Sequence, residues 1–86
     1  MADPTTGDLF KAKTITDDEV SAAVDVFMRD ATVGLFRFAS GHTLDLAAAV
    51  KAHEPARAAV ADPDRPEKFR RGMVRTAILL ARPTAP

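Results

Sequence analysis

Thr16-Asp17-Asp18-Glu19 is the firmest structural instruction in this 86-residue sequence. A Thr-x-x-Glu spacing predicts a capping box, in which the threonine hydroxyl accepts from the amide of Glu19 and the glutamate returns to the amide of Thr16. Three acids in one turn also suit the positive end of a helix dipole. Ile15 before the cap and Val20 beyond it have the spacing of a hydrophobic staple. From there apolar residues recur at Val20, Val24, Phe27, Ala31, Leu35 and Phe38. Steps of three and four predict one helical face sustained for about five turns. Gly41 then supplies the left-handed residue that ends a helix. The stretches 32–39 and 42–46 also fit a hairpin turning at Ser40-Gly41, but the long 3.6-residue period favours the helix.

Three further segments carry start or stop signals. A second helix is expected from Leu44 to about His53, with Thr43 as its cap. Pro55 cannot continue that helix, having no amide to donate, and instead opens a short third segment to about Ala61. Asp62-Pro63-Asp64 breaks the chain. Asp64 is the expected cap of a last helix running to about Arg82, with Pro66 in its first turn. Residues 1–14 hold no sustained period and read as a flexible N-terminal arm, with Leu9 and Phe10 as a short anchor. Residues 83–86 read as a proline-rich tail. The expected fold is an all-α bundle of three or four helices over residues 15–82, with the first and last helices as its principal pair.

Such a fold needs a core, and the supply of core side chains is small. Alanine accounts for 17 residues, which leaves only 23 large apolar side chains in the chain. There is no cysteine, so no disulfide or thiolate metal site can add stability. Packing against a partner or a second copy is the remaining route. Among the predicted last helix's residues, Phe69, Met73, Thr76, Ala77 and Leu80 fall within about 80° of one another and form its expected core face. Lys68, Arg71, Arg75 and Arg82 form a basic stripe on the other side. Ile78 and Leu79 flank that stripe, and Val26 and Val33 lie off the main face of the first helix. These outlying apolar groups, with Phe36, are the candidate partner contacts.

Other features narrow the function. No apolar run approaches the ~18–20 residues of a membrane span. Met1-Ala2-Asp3-Pro4 has neither the basic nor the apolar region of a signal peptide. With no cysteine to protect, the expected location is the cytoplasm. Eight arginines against four lysines, with so many alanines, fit a GC-rich bacterial or phage coding sequence. His42 and His53 are the only two histidines, and their spacing matches no zinc template. The four glycines at 7, 34, 41 and 72 make no phosphate-cradling loop. Thr43-Leu44-Asp45-Leu46 stands where a carrier protein would place its phosphopantetheine serine. Neither an enzyme signature nor a cofactor motif emerges. Pro83-Thr84-Ala85-Pro86 resembles the late-domain tetrapeptide that recruits membrane-budding machinery in eukaryotic hosts.

Net charge is zero, with 12 basic and 12 acidic residues, yet the acidic excess lies before residue 50 and the basic excess after it. That asymmetry orients association with a partner or presents one basic end to a polyanion. The expected function is therefore a non-enzymatic protein–protein interaction module: an adaptor, accessory subunit or small assembly component. It would bury an apolar stripe against a partner protein or in a homo-oligomer, with Arg71 and Arg75 pairing across the contact. The competing expectation is a small DNA-binding regulator that sets Lys68, Arg71, Arg75 and Arg82 against phosphates. Zero net charge and the absence of tyrosine and tryptophan count against it.

Overall fold

The computed structural model describes residues 4–86, so Met1, Ala2 and Asp3 of the expected arm lie outside the described residues. The described residues form five helices and one antiparallel hairpin: α1 (Thr6–Lys11), α2 (Asp17–Arg29), β1 (Leu35–Arg37), β2 (Thr43–Asp45), α3 (Leu46–Ala52), α4 (Glu54–Ala61) and α5 (Glu67–Leu80). The chain is mostly helical, and the hairpin corrects the all-α expectation.

Helix α2 begins as its sequence requires. Glu19 N donates to Thr16 Oγ1 and Thr16 N donates to Glu19 Oε1, each at 3.2 Å. Ile15 and Val20, the two arms of the staple, are wholly buried. The helix then stops at Arg29, about ten residues short of its expected end. Asp30 accepts from Thr32 N at 2.9 Å and from Thr32 Oγ1 at 2.5 Å. A short acidic side chain that binds backbone two residues on offers the chain an alternative to the helix.

Downstream, two aromatic residues decide the matter. Residues two apart lie about 200° apart on a helix but on the same side of a strand. In β1 and just after it, Phe36 and Phe38 meet edge to face with ring centroids 5.1 Å apart. Phe36 also stands opposite Leu44 in the register Leu35↔Asp45, Phe36↔Leu44, Arg37↔Thr43. Phe38 N donates to His42 O at 2.8 Å, and Gly41 N closes the turn onto Phe38 O at 2.9 Å. Gly41 is left-handed as expected, with φ of 91°. It serves a hairpin loop instead of a helix end.

The remaining helices lie close to their expected spans, with different caps. Asp45, not Thr43, caps α3 by accepting from Ala48 N at 3.0 Å. Pro66 precedes α5 without a side-chain cap, while Asp64 N donates to Asp62 Oδ1 in the preceding turn.

Residues 5–14 of the expected arm form α1 and its closing turn, bonded to the end of α5, and the C-terminal tail is bonded to β2. Thr5 and Asp8 form a second capping box, with bonds of 3.0 and 3.1 Å. Thr6 is fully buried and donates to Ala81 O from its amide at 2.8 Å and from its hydroxyl at 3.2 Å. Helix α1 closes with Lys13 at φ 63°, where Thr14 N reaches Leu9 O at 2.9 Å and Lys13 N reaches Phe10 O at 3.0 Å. This is the two-bond pattern of a Schellman end. Leu9 and Phe10 pack against the core. In the tail, Thr84 pairs with Thr43 through bonds of 3.0 and 2.7 Å.

Helix α5 contacts each of the other four helices. Its inward side is Val74, Ala77 and Ile78, which meet Val20, Val24 and Phe27 of α2, Phe38 and Leu44 of the hairpin, and Leu46, Val50 and Ala56 of α3 and α4 in one core.

Candidate interaction surface

A 14-residue helix with apolar residues on two arcs can bury only one of them here. On α5 the arc of Val74, Ala77 and Ile78 faces inward, leaving Phe69 at 43% and Leu80 at 60% exposure. This reverses the expected orientation. Of the five residues expected to make the core face, only Ala77 is buried, whereas Ile78, expected at a partner contact, has 0% exposure. Ile78 therefore offers no surface to a partner. Val26, Val33, Phe36 and Leu79 are half-buried and pack on the core. Helix α1 also crosses α5 beside Leu79, where a Cβ on Gly7 would stand 3.1 Å from Leu79 O.

The basic stripe is likewise drawn into the fold. Arg71 Nη2 donates to Asp25 Oδ1, and Arg75 Nη2 donates to Asp17 Oδ1 at 2.6 Å. Both acids lie on α2, so the pairs fasten α5 to α2. The Arg75 guanidinium also lies 5.8 Å from the centre of the Phe10 ring. Lys68 and Arg82 are exposed and make no ion pair among the described residues. Two of the four expected phosphate contacts are thus occupied by carboxylates of the same chain.

What remains open is the outer arc of α5 and its flank. Phe69, Met73, Thr76 and Leu80 follow one another at steps of four, three and four, the spacing of a helix–helix seam, with Met73 half-buried against the core. Thr76 Oγ1 donates to Gly72 O at 3.0 Å, so its hydroxyl is satisfied within the helix. Beside Phe69 and Met73 a groove of about 320 Å³ is walled by Pro55, Ala58 and Ala59 of α4, with Asp62 and Arg65 at its mouth. Arg65 lies over the Phe69 ring at 5.1 Å and pairs with Asp62 at 3.5 Å. Beside Leu80 a second groove of about 140 Å³ is walled by Ala49, Ala52 and His53. The alanine content that starved the core lines these grooves with small side chains. Sequence reasoning identified Phe69, Met73, Thr76 and Leu80 as one face but assigned that face inward. Leu35, at 71% exposure, stands apart on the hairpin's other side.

Ser40 Oγ and His42 Nδ1 are 2.7 Å apart, but among the described residues no carboxylate is hydrogen-bonded to His42. No group of three or more potential metal ligands occurs among the described residues. Nor is any described helix long and apolar enough to cross a membrane. The carboxylates with displaced pKa values are structural. Glu19 is held below its ordinary range chiefly by the Ala39 amide, Asp8 by the Thr5 amide and hydroxyl, and Asp30 by the Thr32 hydroxyl and amide. No protein family, curated protein or solved structure matches the chain.

Proposed function

We propose that this protein is a non-enzymatic interaction module that binds another protein surface through the outer arc of α5 and its flanking grooves. The observation that carries this reading is the exposure of Phe69 and Leu80 in register with Met73, on a helix whose other apolar arc already fills the core. Burying one large apolar side chain from full exposure is worth about 1.5–3 kcal/mol. The half-exposed Phe69 and Leu80 would together return about 2 kcal/mol before any contribution from groove walls. The expected roles of Arg71 and Arg75 change accordingly: they hold α5 against α2, and the outer arc makes the contact.

The test is a photo-reactive residue at position 80 of the full chain in its native cell, compared with one at position 22 on the far side of α2. Specific adducts at 80 and none at 22, lost when Phe69 is also changed to Ser, would support the reading. Equal labelling at both positions, or adducts insensitive to Phe69→Ser, would overturn it. Of the four stripe residues, the DNA-binding alternative retains Lys68 and Arg82 without an ion pair among the described residues. Two phosphate contacts give a log–log salt slope of roughly −2 for a random duplex. A slope nearer −4, lost on Arg71→Ala and Arg75→Ala, would favour that alternative.

A further inference from the structure

Helices α2 and α5 meet through two ion pairs whose spacings do not match. Asp17 pairs with Arg75 and Asp25 with Arg71. The acids stand two turns apart, about 12 Å along α2, whereas the arginines stand one turn apart, about 6 Å along α5. To reach their carboxylates the guanidiniums diverge, and a recess of about 160 Å³ lies between the helices. Its walls are Ser21 and Val24 of α2 with Arg71, Gly72 and Arg75 of α5. Neither Asp17 nor Asp25 lines it.

That lining supplies donors around an open space. Each arginine commits one nitrogen, Nη2, to its carboxylate, and a guanidinium carries further N–H donors on Nε and Nη1. Among the described residues those donors have no acceptor, and Ser21 Oγ has no hydrogen-bond partner. The two arginine side chains are only 37% and 34% exposed, so water and salt screen them less than an open surface would. A Cβ at Gly72 would meet nothing within 4 Å, so the glycine keeps the recess open. The wall thus carries two positive charges and no negative one, whereas the groove beside Phe69 sets Asp62 against Arg65.

Size and donor placement define what fits. Drug-sized ligands occupy about 300–1,000 Å³, so this recess takes one small group. A carboxylate is satisfied by a single guanidinium fork. Two forks from successive turns, with a hydroxyl from the facing helix, suit an anion whose oxygens point in several directions. We infer that Ser21, Arg71, Gly72 and Arg75 form a binding site for a phosphate group, free or carried as a terminal monoester, in the recess between α2 and α5. The site is separate from the outer arc of α5 and stands whether or not that arc binds a protein. Arg71 and Arg75 serve twice, one nitrogen of each fastening the helices and the others binding the ligand.

Isotope-labelled full-length chain, titrated with inorganic phosphate to about 50 mM at constant ionic strength, should show saturating shifts of the Arg71 and Arg75 Nε–H signals. The expected Kd is on the order of 1–10 mM. Arg57, exposed on α4, should not respond. Arg71→Ala loosens the fold as well as the site, so the deciding variants are those that spare both ion pairs. Gly72→Leu fills the recess and should weaken binding about tenfold or more. Ser21→Ala should weaken it about threefold, and helical content should stay the same in both. Phenyl phosphate binding as tightly as inorganic phosphate would support a phosphate carried on a larger molecule, and binding of inorganic phosphate alone would support the free anion. Shifts that rise linearly throughout the titration, that appear equally at Arg57 or with acetate, or that persist unchanged in Gly72→Leu would overturn the inference.

Discussion

Glu19 joins the start of α2 to the tip of the hairpin, and Glu19→Gln tests that joint. One carboxylate oxygen accepts from Thr16 N at 3.2 Å, and the other accepts from Ala39 N at 2.7 Å, twenty residues away. Glutamine has one carbonyl oxygen, so its amide group must face one of those two donors. Hydrogen bonds to a charged acceptor contribute about 1.5–3 kcal/mol. Thr16 and Ala39 are exposed, so water replaces the lost partner and the expected cost is at the low end, about 1–1.5 kcal/mol. For a small domain with a urea m-value near 1 kcal/mol/M, the midpoint should fall by about 1 M. Ala39→Pro deletes the donor at the second position of the turn, where proline is well tolerated. A double-mutant cycle between the two changes should return a coupling of about 0.5–1 kcal/mol. The pH dependence has a definite sign. The Ala39 bond holds the folded pKa of Glu19 below its ordinary value of 4.5. Its contribution is therefore complete above that value and disappears as the pH falls through the folded pKa. Wild type should lose its advantage over Glu19→Gln as the pH falls below 4.5, while Asp8 and Asp30 titrate alike in both proteins. A midpoint shift under about 0.3 M at neutral pH, or an additive cycle, would refute the argument.

Other substitutions test the remaining joints. Gly41→Ala forces a side chain into φ 91° and sets its Cβ 2.9 Å from Pro86 Cβ, so stability should fall by about 1–2 kcal/mol in urea melts, with the steric part relieved on removing Pro86. Lys13→Gly should raise the urea midpoint by the equivalent of about 0.5–1 kcal/mol, because Lys13 at φ 63° occupies the left-handed position of the α1 end. Arg70→Met should leave stability unchanged or raise it by up to about 1 kcal/mol, since Arg70 Nε is buried with no acceptor among the described residues. A loss exceeding 1 kcal/mol in that variant would show that the guanidinium contributes through its other nitrogens.

Features set within a few residues of sequence were the legible ones. The Thr16–Glu19 box, the Ile15–Val20 staple, the left-handed Gly41 and the proline start of α4 each depend on local backbone chemistry, and all are present. The segment 30–46 was ambiguous because Leu35 and Phe38 continue the helical period while Phe36 and Phe38 alternate as on a strand. Asp30 binding Thr32 and Phe36 meeting Phe38 resolved it, and the second is a contact that only the strand form makes possible. The α1 box was concealed by aspartate in the place of the usual glutamate and by a helix too short to show a period. On α5 the wheel grouped Ala77, which is buried, with the exposed Phe69 and Leu80, and left Val74 out of either face; a wheel does not contain the neighbours that decide which arc turns inward. Asp25 and Asp17 on α2 pair with Arg71 and Arg75 from 46 and 58 positions away, contacts that no local pattern contains.

Pro83-Thr84-Ala85-Pro86 invites reading as an accessible recruiting peptide. In the fold Thr84 exchanges two backbone bonds with Thr43, Pro83 is buried, and Pro86 fills the space above Gly41. A partner that reads this segment as an extended strand would have to take it from β2. Two backbone bonds at about 0.5–1.5 kcal/mol each set the release cost at about 1–3 kcal/mol, which weakens apparent affinity about 5- to 150-fold relative to the free peptide. Hydrogen exchange at the Thr43 and Thr84 amides measures the same quantity directly. Both amides should be protected beyond their peptide rates, and deleting residues 83–86 should lower the urea midpoint by the equivalent of about 1–3 kcal/mol while unprotecting Thr43. If Thr84 exchanges at the peptide rate and the deletion leaves the midpoint in place, the segment is not part of the fold, and its four residues are free to be read by another protein.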